Sequence, residues 1–251
     1  MYEEVMECSS SLRFHDFHGD NIDLFDDRTR ALRRASFANS IAFSARPLEP
    51  FEPFLVSIER NENGWSGHMR LGLTSVNPNT RVRLPMYALP ELNLIGRSWV
   101  FAISRHQFND HNVNDQLAAT TLALPRRSLY ESDLCAADAN RRKRPLPTDV
   151  GSRVGVYFAP TADGQRARLH LLINGDDYCP TLEDIPLTSA LYAVVDVYGT
   201  TKQVRVVPMV RTVQKLQELC KQTIVNQVHG SAAIPCLPLP DRLKLLLQEC
   251  D

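Results

Sequence analysis

Lysine is scarce in this 251-residue chain: of 28 basic residues only Lys143, Lys202, Lys215, Lys221 and Lys244 are lysine, the rest arginine. The six cysteines (Cys8, Cys135, Cys179, Cys220, Cys236 and Cys250) never fall within four residues of one another. That spacing excludes the paired ligands of a zinc ribbon or RING, and in a reducing compartment these residues read as free thiols. Apolar runs are short. Leu191–Val197 is among the longest, far below the roughly 20 residues that cross a bilayer. The start, Met1-Tyr2-Glu3-Glu4, lacks the basic and apolar regions of a signal peptide, so the chain reads as intracellular and cytoplasmic. Net charge is −1, which removes any global attraction to nucleic acid or acidic lipid. There is no Walker loop and no dinucleotide fingerprint. Gly64-Trp65-Ser66-Gly67-His68 lacks the glycine two residues after serine that a nucleophile elbow requires. His15 and His18 stand three apart without a nearby third ligand, so they read as structural histidines bonded to backbone. No catalytic residue, cofactor or metal is expected.

What the chain does have is alternation. Phe37, Asn39, Ile41 and Phe43 alternate with small residues; Phe54, Val56 and Ile58 alternate with Leu55, Ser57 and Glu59; Met69, Leu71 and Leu73 alternate with His68, Arg70 and Gly72. Period two marks half-buried antiparallel strands. Further strands are expected at 98–103, 119–124, 153–158, 167–173, 192–197 and 203–207, with turn dipeptides at Asn63-Gly64, Asp163-Gly164 and Asn174-Gly175. Nine or more short strands and no convincing helix before residue 211 predict an all-β antiparallel sandwich. Residues 1–12 read as a loose tail.

Polar, turn-rich stretches interrupt the pattern. Loops held on a rigid sandwich commonly carry binding. Asp20, Asp23, Asp26 and Asp27 in the first such stretch, and Arg105, Asn109, Asp110 and Asn112 in another, are therefore candidate target-binding residues. Arg141-Arg142-Lys143-Arg144 reads as a solvated loop rather than a nucleic-acid contact, having no aromatic partners. Trp65, between Gly64 and Gly67, reads as a ring packed in the core where backbones approach closely, a ligand platform being the other reading.

The final forty residues change character. After Thr212 as N-cap, Val213, Leu216, Cys220 and Ile224 fall on one stripe of an α-helix, widened by Leu219 and Thr223. Leu237-Pro238-Leu239-Pro240 follows, then Asp241 as N-cap of a second short apolar helix through Leu243, Leu246 and Leu247. A helical pair this short is marginal alone, so its stripe must meet another domain or another protein.

Leu216-Gln217-Glu218-Leu219-Cys220-Lys221-Gln222-Thr223-Ile224 resembles an elongin-binding box, and Leu237–Pro240 resembles the cullin box that follows it in a SOCS box. Upstream, Phe14-His15, His18-Gly19, Asn21-Ile22, Ser36-Phe37, Phe43-Ser44, Arg46-Pro47-Leu48, Gly64-Trp65 and Gly67–Thr74 resemble the Neuralized homology repeat. Val154-Gly155-Val156, Ile173-Asn174-Gly175 and Tyr192–Gly199 continue it in order. One repeat followed by a SOCS box is similar to the single-repeat branch of the Neuralized-like family, not to relatives with several repeats or their own RING.

The resemblance implies an NHR/SPRY-like β-sandwich over 13–208 that holds a target protein and a small helical SOCS box over 209–251. It further implies that Val213, Leu216, Leu219, Cys220 and Ile224 bind elongin B/C, and that Leu237, Pro238, Leu239 and Pro240 favour cullin five with its RING partner. The chain would then be a non-catalytic substrate adaptor of an E3 ubiquitin ligase, bringing targets to ubiquitination; the alternative is a scaffold that never engages a cullin.

Burying a leucine side chain contributes roughly 1.5–3 kcal/mol, and about 1.4 kcal/mol changes affinity tenfold. The double variant Leu216→Ala, Cys220→Ala is therefore expected to recover less than about a tenth of the elongins that wild type retains in pull-down. Glu218→Ala, off the stripe, recovers them normally.

Overall fold

The computed structural model describes residues 12–105, 121–124, 127–130, 145–178, 185–208, 224, 237–240 and 242–244. The chain divides into two compact units, residues 1–122 with 129–209, and residues 123–128 with 210–251.

The first unit is an antiparallel β-sandwich. Its larger sheet takes the order β1 (Ile22–Phe25), β2 (Arg30–Arg33), β14 (Thr201–Val206), β4 (Phe54–Asn61), β9 (Arg153–Pro160), β10 (Arg166–Ile173) and β11 (Asp176–Tyr178), with β12 (Ile185–Pro186) also paired to β10. The smaller sheet runs β3 (Ile41–Phe43), β13 (Tyr192–Asp196), β5 (Arg70–Thr74), β6 (Ser98–Ala102). A separate pair joins β7 (Thr121–Leu124) and β8 (Arg127–Tyr130).

Alternation explains where the core sits. Val154, Val156, Leu169, Leu171, Val204 and Val206 from the larger sheet meet Ala42, Leu71, Leu73, Ala193 and Val195 from the smaller one in the main core. Ile41, Phe43 and Val194 point the other way. They form a second core with Val76, Ala88 and Leu92, which lie on the long excursion between β5 and β6. Both faces of β13 are thereby covered, which is why Leu191–Val195 reads as one apolar run rather than an alternating one. Gly72 sits in the middle of β5 because β6 passes so close: a Cβ there would lie 2.0 Å from the Trp99 carbonyl oxygen. Asn174-Gly175 turns the chain between β10 and β11 with positive φ at both residues (49° and 96°), the type I′ signature of a two-residue hairpin.

Three expectations are revised. The strand foreseen from Phe37 begins only at Ile41, because Ser36 and Asn39 take left-handed φ of 47° and 55°. Two strands come earlier than foreseen: β1 and β2 form a hairpin inside the acid-rich stretch. Their pattern was hidden by charge, since β1 lies at the sheet edge and Asp23 in it pairs with the exposed Arg34 at 3.3 Å. Trp65 is not a core residue; 36% of it is exposed.

In the second unit, Ile224 is helical and half-buried, and residues 242–244 form helix. The Leu239 amide donates to the Leu237 carbonyl at 2.8 Å, and the Pro240 carbonyl accepts from the Leu243 amide at 2.9 Å, starting the second helix where the sequence placed it. Val213, Leu216, Leu219 and Cys220 lie outside the described residues, as do Leu246 and Leu247. No helix among the described residues is long and apolar enough to cross a membrane.

Gly72→Ala forces backbone apart at the centre of the smaller sheet. Overpacking of this kind costs about 3 kcal/mol, so the variant's urea midpoint is expected to fall well below that of wild type, whereas Gly164→Ala, with open space around its Cβ position, strains only a turn.

Candidate functional site

At one end of the sandwich four connections converge: 34–40 after β2, 62–69 between β4 and β5, part of 75–97 between β5 and β6, and 197–200 between β13 and β14. Arg33, the last residue of β2, holds them. Its side chain has 0% exposure. The guanidinium donates to the Gly199 carbonyl at 2.6 Å, the Thr201 carbonyl at 3.2 Å and the Ser36 carbonyl, with Glu62 at 3.5 Å. Burial lowers the Arg33 pKa, and Glu62 and Asp196 oppose that shift, so the group stays a cation. An arginine is tolerated without water only when its forked N–H groups are met in this way.

A second buried charge lies beside it. Asp196 has no exposed side-chain surface. It accepts from the Ser40 hydroxyl at 2.8 Å, the Ala88 amide at 3.0 Å and Arg70 Nη1 at 3.4 Å. Burial raises its pKa, and these donors, with Arg33 nearby, pull the other way. The Asp196 carboxylate thus pins the 86–90 stretch to the loop after β2.

Over these charges lies an aromatic face. The Arg70 guanidinium carbon stands 3.8 Å from the Tyr198 ring centre and 5.8 Å from that of Tyr87, and Arg33 stands 5.7 Å from Trp65. The Phe37 ring meets Trp65 at 5.1 Å, Tyr198 at 5.8 Å and Tyr87 at 6.0 Å. The Trp65 indole N–H donates to Glu62 Oε2 at 2.9 Å, and Glu62 also binds Lys202 at 2.9 Å. Lys202's hydrogen bond comes first among the causes that hold the Glu62 carboxyl below the usual range. The connections can meet only through glycine. A Cβ on Gly199 (φ 62°) would lie 2.3 Å from the Gly67 carbonyl oxygen, and one on Gly67 (φ 78°) would lie 2.9 Å from the Tyr198 ring. The irregular register of β14 against β4 around Thr201–Val204 falls at the same end, where bulges commonly re-aim side chains.

Arg33, Arg70 and Asp196 are spent on buried partners at this end, and the apolar groups that reach solvent there are Trp65, Met86 (50% exposed) and the partly exposed rings of Phe37, Tyr87 and Tyr198. Rigid aromatic anchors over satisfied polar groups are the composition of protein-docking hot spots. Sequence reasoning missed this face. Its signal was the set Phe37, Trp65, Tyr87, Tyr198, each in or beside a turn rather than inside a strand.

The foreseen residues are placed differently from one another. Asp20 and Asp23 adjoin the face through Arg34, whose Nη2 reaches the Asp20 carbonyl and whose Nε reaches Asp23. Asp26 and Asp27 sit in the β1–β2 turn at the far end of β2, where Asp26 pairs with Arg30 at 2.8 Å and Arg205 at 3.1 Å and Asp27 pairs with Arg13 at 2.6 Å. Arg105 is exposed after β6 and lowers the His68 pKa; Asn109, Asp110 and Asn112 lie outside the described residues. His15 and His18 are structural, His15 Nδ1 accepting from the Phe17 amide and His18 Nδ1 meeting the Gly19 carbonyl, both at 2.9 Å. His68 Nδ1 engages the Thr200 hydroxyl at 2.5 Å.

Two outcomes are expected. Arg33→Met leaves carbonyls unpaired in the interior, each costing about 1–3 kcal/mol, so it destabilises strongly in urea, while Trp65→Ala at the surface shifts the midpoint little. Burial first, then Arg105, hold the His68 pKa below its ordinary 6.5. The unfolded chain therefore binds the proton more readily, and this contribution, complete above 6.5, is lost as pH falls through the folded-state pKa. His68→Gln is expected to flatten the fall of stability as the pH drops below 6.5, read by urea titration at several pH values.

Comparison with known proteins locates these features. The family model described as Neuralized matches residues 14–208, and the model described as SOCS box matches residues 212–248. Neuralized-like protein 2 of Mus musculus and of Homo sapiens are each 38% identical over 256 residues, covering 92% of this chain and 90% of theirs. E3 ubiquitin-protein ligase NEURL3 of Rattus norvegicus is 28% identical over 196 residues, covering 75% of this chain and 59% of its own. The crystal structure of the Drosophila melanogaster neuralized NHR1 domain superposes with a TM-score of 0.55 at 28% identity, covering 79% of this chain and 98% of that domain. The chain belongs to the Neuralized family, carrying a Neuralized homology domain of NHR/SPRY-like fold and a SOCS box.

Proposed function

We propose that the chain is the substrate-recognition adaptor of an elongin–cullin–RING E3 ubiquitin ligase of the cullin-five type, working in the cytoplasm. The observation that carries this reading is the order of its parts: a Neuralized domain over 14–208 directly followed by a SOCS box over 212–248. Paired-cysteine RING ligands are missing throughout. Relatives that bear the name of E3 ubiquitin ligase give the same direction.

In this reading residues 209–251 form the ligase-binding module. Val213, Leu216, Leu219, Cys220 and Ile224 enter elongin C, and Leu237, Pro238, Leu239 and Pro240 select cullin five and its RING partner. Residues 13–208 hold the target. We place the target on the Trp65, Phe37, Tyr87, Tyr198 and Met86 face, with Asp20 and Asp23 at its edge and the other loop residues Asp26, Asp27, Arg105, Asn109, Asp110 and Asn112 as further contacts. Catalysis is then proximity: the adaptor itself forms and breaks no bond, but raises the effective concentration of target lysines beside a charged conjugating enzyme.

Co-purification followed by mass spectrometry tests the whole reading: elongins B and C with cullin five are expected, and a target retained without any cullin would favour the scaffold instead. A chain ending at Met209 is expected to stay soluble and keep its target while ubiquitination of that target stops. Loss of target binding on truncation would sink the division of labour. Lysine usage adds a further outcome. Lys202 is bound by Glu62 at 2.9 Å and the Arg34 carbonyl at 3.2 Å, with 13% of its side chain exposed. Self-ubiquitination of the assembled ligase, mapped by peptide mass spectrometry, is therefore expected to fall on Lys143 and to spare Lys202.

A further inference from the structure

The end of β2 and the loop after it carry a second pattern besides their part in the docking face. Leu32-Arg33-Arg34-Ala35-Ser36-Phe37 places arginines three and two residues before a serine and an apolar ring just after it. This is the arrangement that arginine-directed serine kinases read, their acidic substrate grooves pairing the two guanidinium groups. No other serine or threonine of the chain follows two basic residues at those offsets.

The structure adds a condition. Ser36 is exposed, and among the described residues its Oγ accepts a long bond from the Ala38 amide at 3.3 Å. Arg34 is open as well, with 56% of its side chain exposed. Arg33 is not. Its side chain has 0% exposure and is held by the Gly199, Thr201 and Ser36 carbonyls. Ser36 itself stands at φ 47°, a left-handed conformation, whereas a kinase cleft takes its substrate extended. Both requirements are met only after the 34–40 loop lets go of Arg33.

We propose that Ser36 is the acceptor of an arginine-directed serine kinase, and that burial of Arg33 keeps the site closed until this loop opens. In the transfer, Ser36 Oγ bonds to the γ-phosphorus of ATP, the bond from that phosphorus to the ADP oxygen breaks, and the hydroxyl proton passes to the kinase's catalytic carboxylate. With reclosure faster than phosphorylation, the rate follows the population of the open loop. The added charge of about −1.5 to −2 stands one residue from Phe37, at the rim of the aromatic face. Ser36 already contacts Arg33 through its carbonyl, and Glu62 shares the same guanidinium, so the phosphate competes with them and with the other loop carbonyls for Arg33 and Arg34. Its effect on target capture rests on the docking reading given above; the modification itself does not.

The experiment compares the full chain, co-expressed with elongins, with a synthetic peptide of residues 30–40. Each is incubated with the catalytic subunit of cyclic-AMP-dependent protein kinase and ATP, and the phosphate is mapped by mass spectrometry. The peptide is expected to be labelled quickly. The native chain is expected to be labelled at Ser36 at least about tenfold more slowly, one decade corresponding to about 1.4 kcal/mol of loop opening. Arg34→Ala, a surface change, is expected to abolish most labelling of the native chain without altering its melting temperature. Native labelling as fast as the peptide's would overturn the guarding role of Arg33. Failure to label Ser36 in the native chain, or undiminished labelling of Arg34→Ala, would overturn the site.

Discussion

A guanidinium with no water around it organises one end of this molecule. Arg33 can be buried only because the chain returns from far along the sequence to offer it carbonyl oxygens, Gly199 and Thr201 from the β13–β14 connection and Ser36 from its own loop. Those obligations shape the backbone. Ser36 turns left-handed, Gly199 and Gly67 close on each other, and β14 enters its sheet out of register. Remove the cation and the Gly199, Thr201 and Ser36 carbonyls lose the donor that draws them to one point.

Asp196 does the corresponding work from the other sheet. It ends β13 and is met by Ser40, Ala88 and Arg70, so a single buried carboxylate ties two connections and the start of β5 to the strand that runs through the middle of both cores. With Arg33 and Arg70 committed to this interior, the rings above them are held in place by cations beneath and leave their outer edges to solvent. An aromatic surface on a charge-neutralised base suits a protein partner: the rings lose little conformational freedom on docking, and no uncompensated charge must be desolvated. The same economy makes the loop a natural place for control, since one phosphate there competes for the arginine on which the arrangement rests.

The proposed division of labour between the two units follows their physics. A sandwich with two cores can present loops rigidly, whereas the short apolar stripe that the sequence predicts after Thr212 is marginal alone and, in the proposed reading, is covered by a partner. Arginine in place of lysine keeps the sandwich surface charged while withholding amines, with Lys202, the sandwich lysine among the described residues, tied to Glu62 and the Arg34 carbonyl.

What was legible from the sequence was local. Alternation over Phe54–Ile58, Arg153–Phe158 and 167–173, and the Asn174-Gly175 turn, each depend on neighbours a few residues away, so their physics is written in the chain in order. The hairpin of β1 and β2 was obscured because its acids find arginines only across the sheet and at its end, and a strand edge that faces water need not look apolar. Trp65 was misplaced for a related reason. Glycines on either side announce a close approach, but whether the ring lies under or over the meeting backbones is settled by Arg33 and Phe37, 32 and 28 residues before it. Burial of a charge depends on partners brought from the other end of the chain, and only the tertiary structure supplies them.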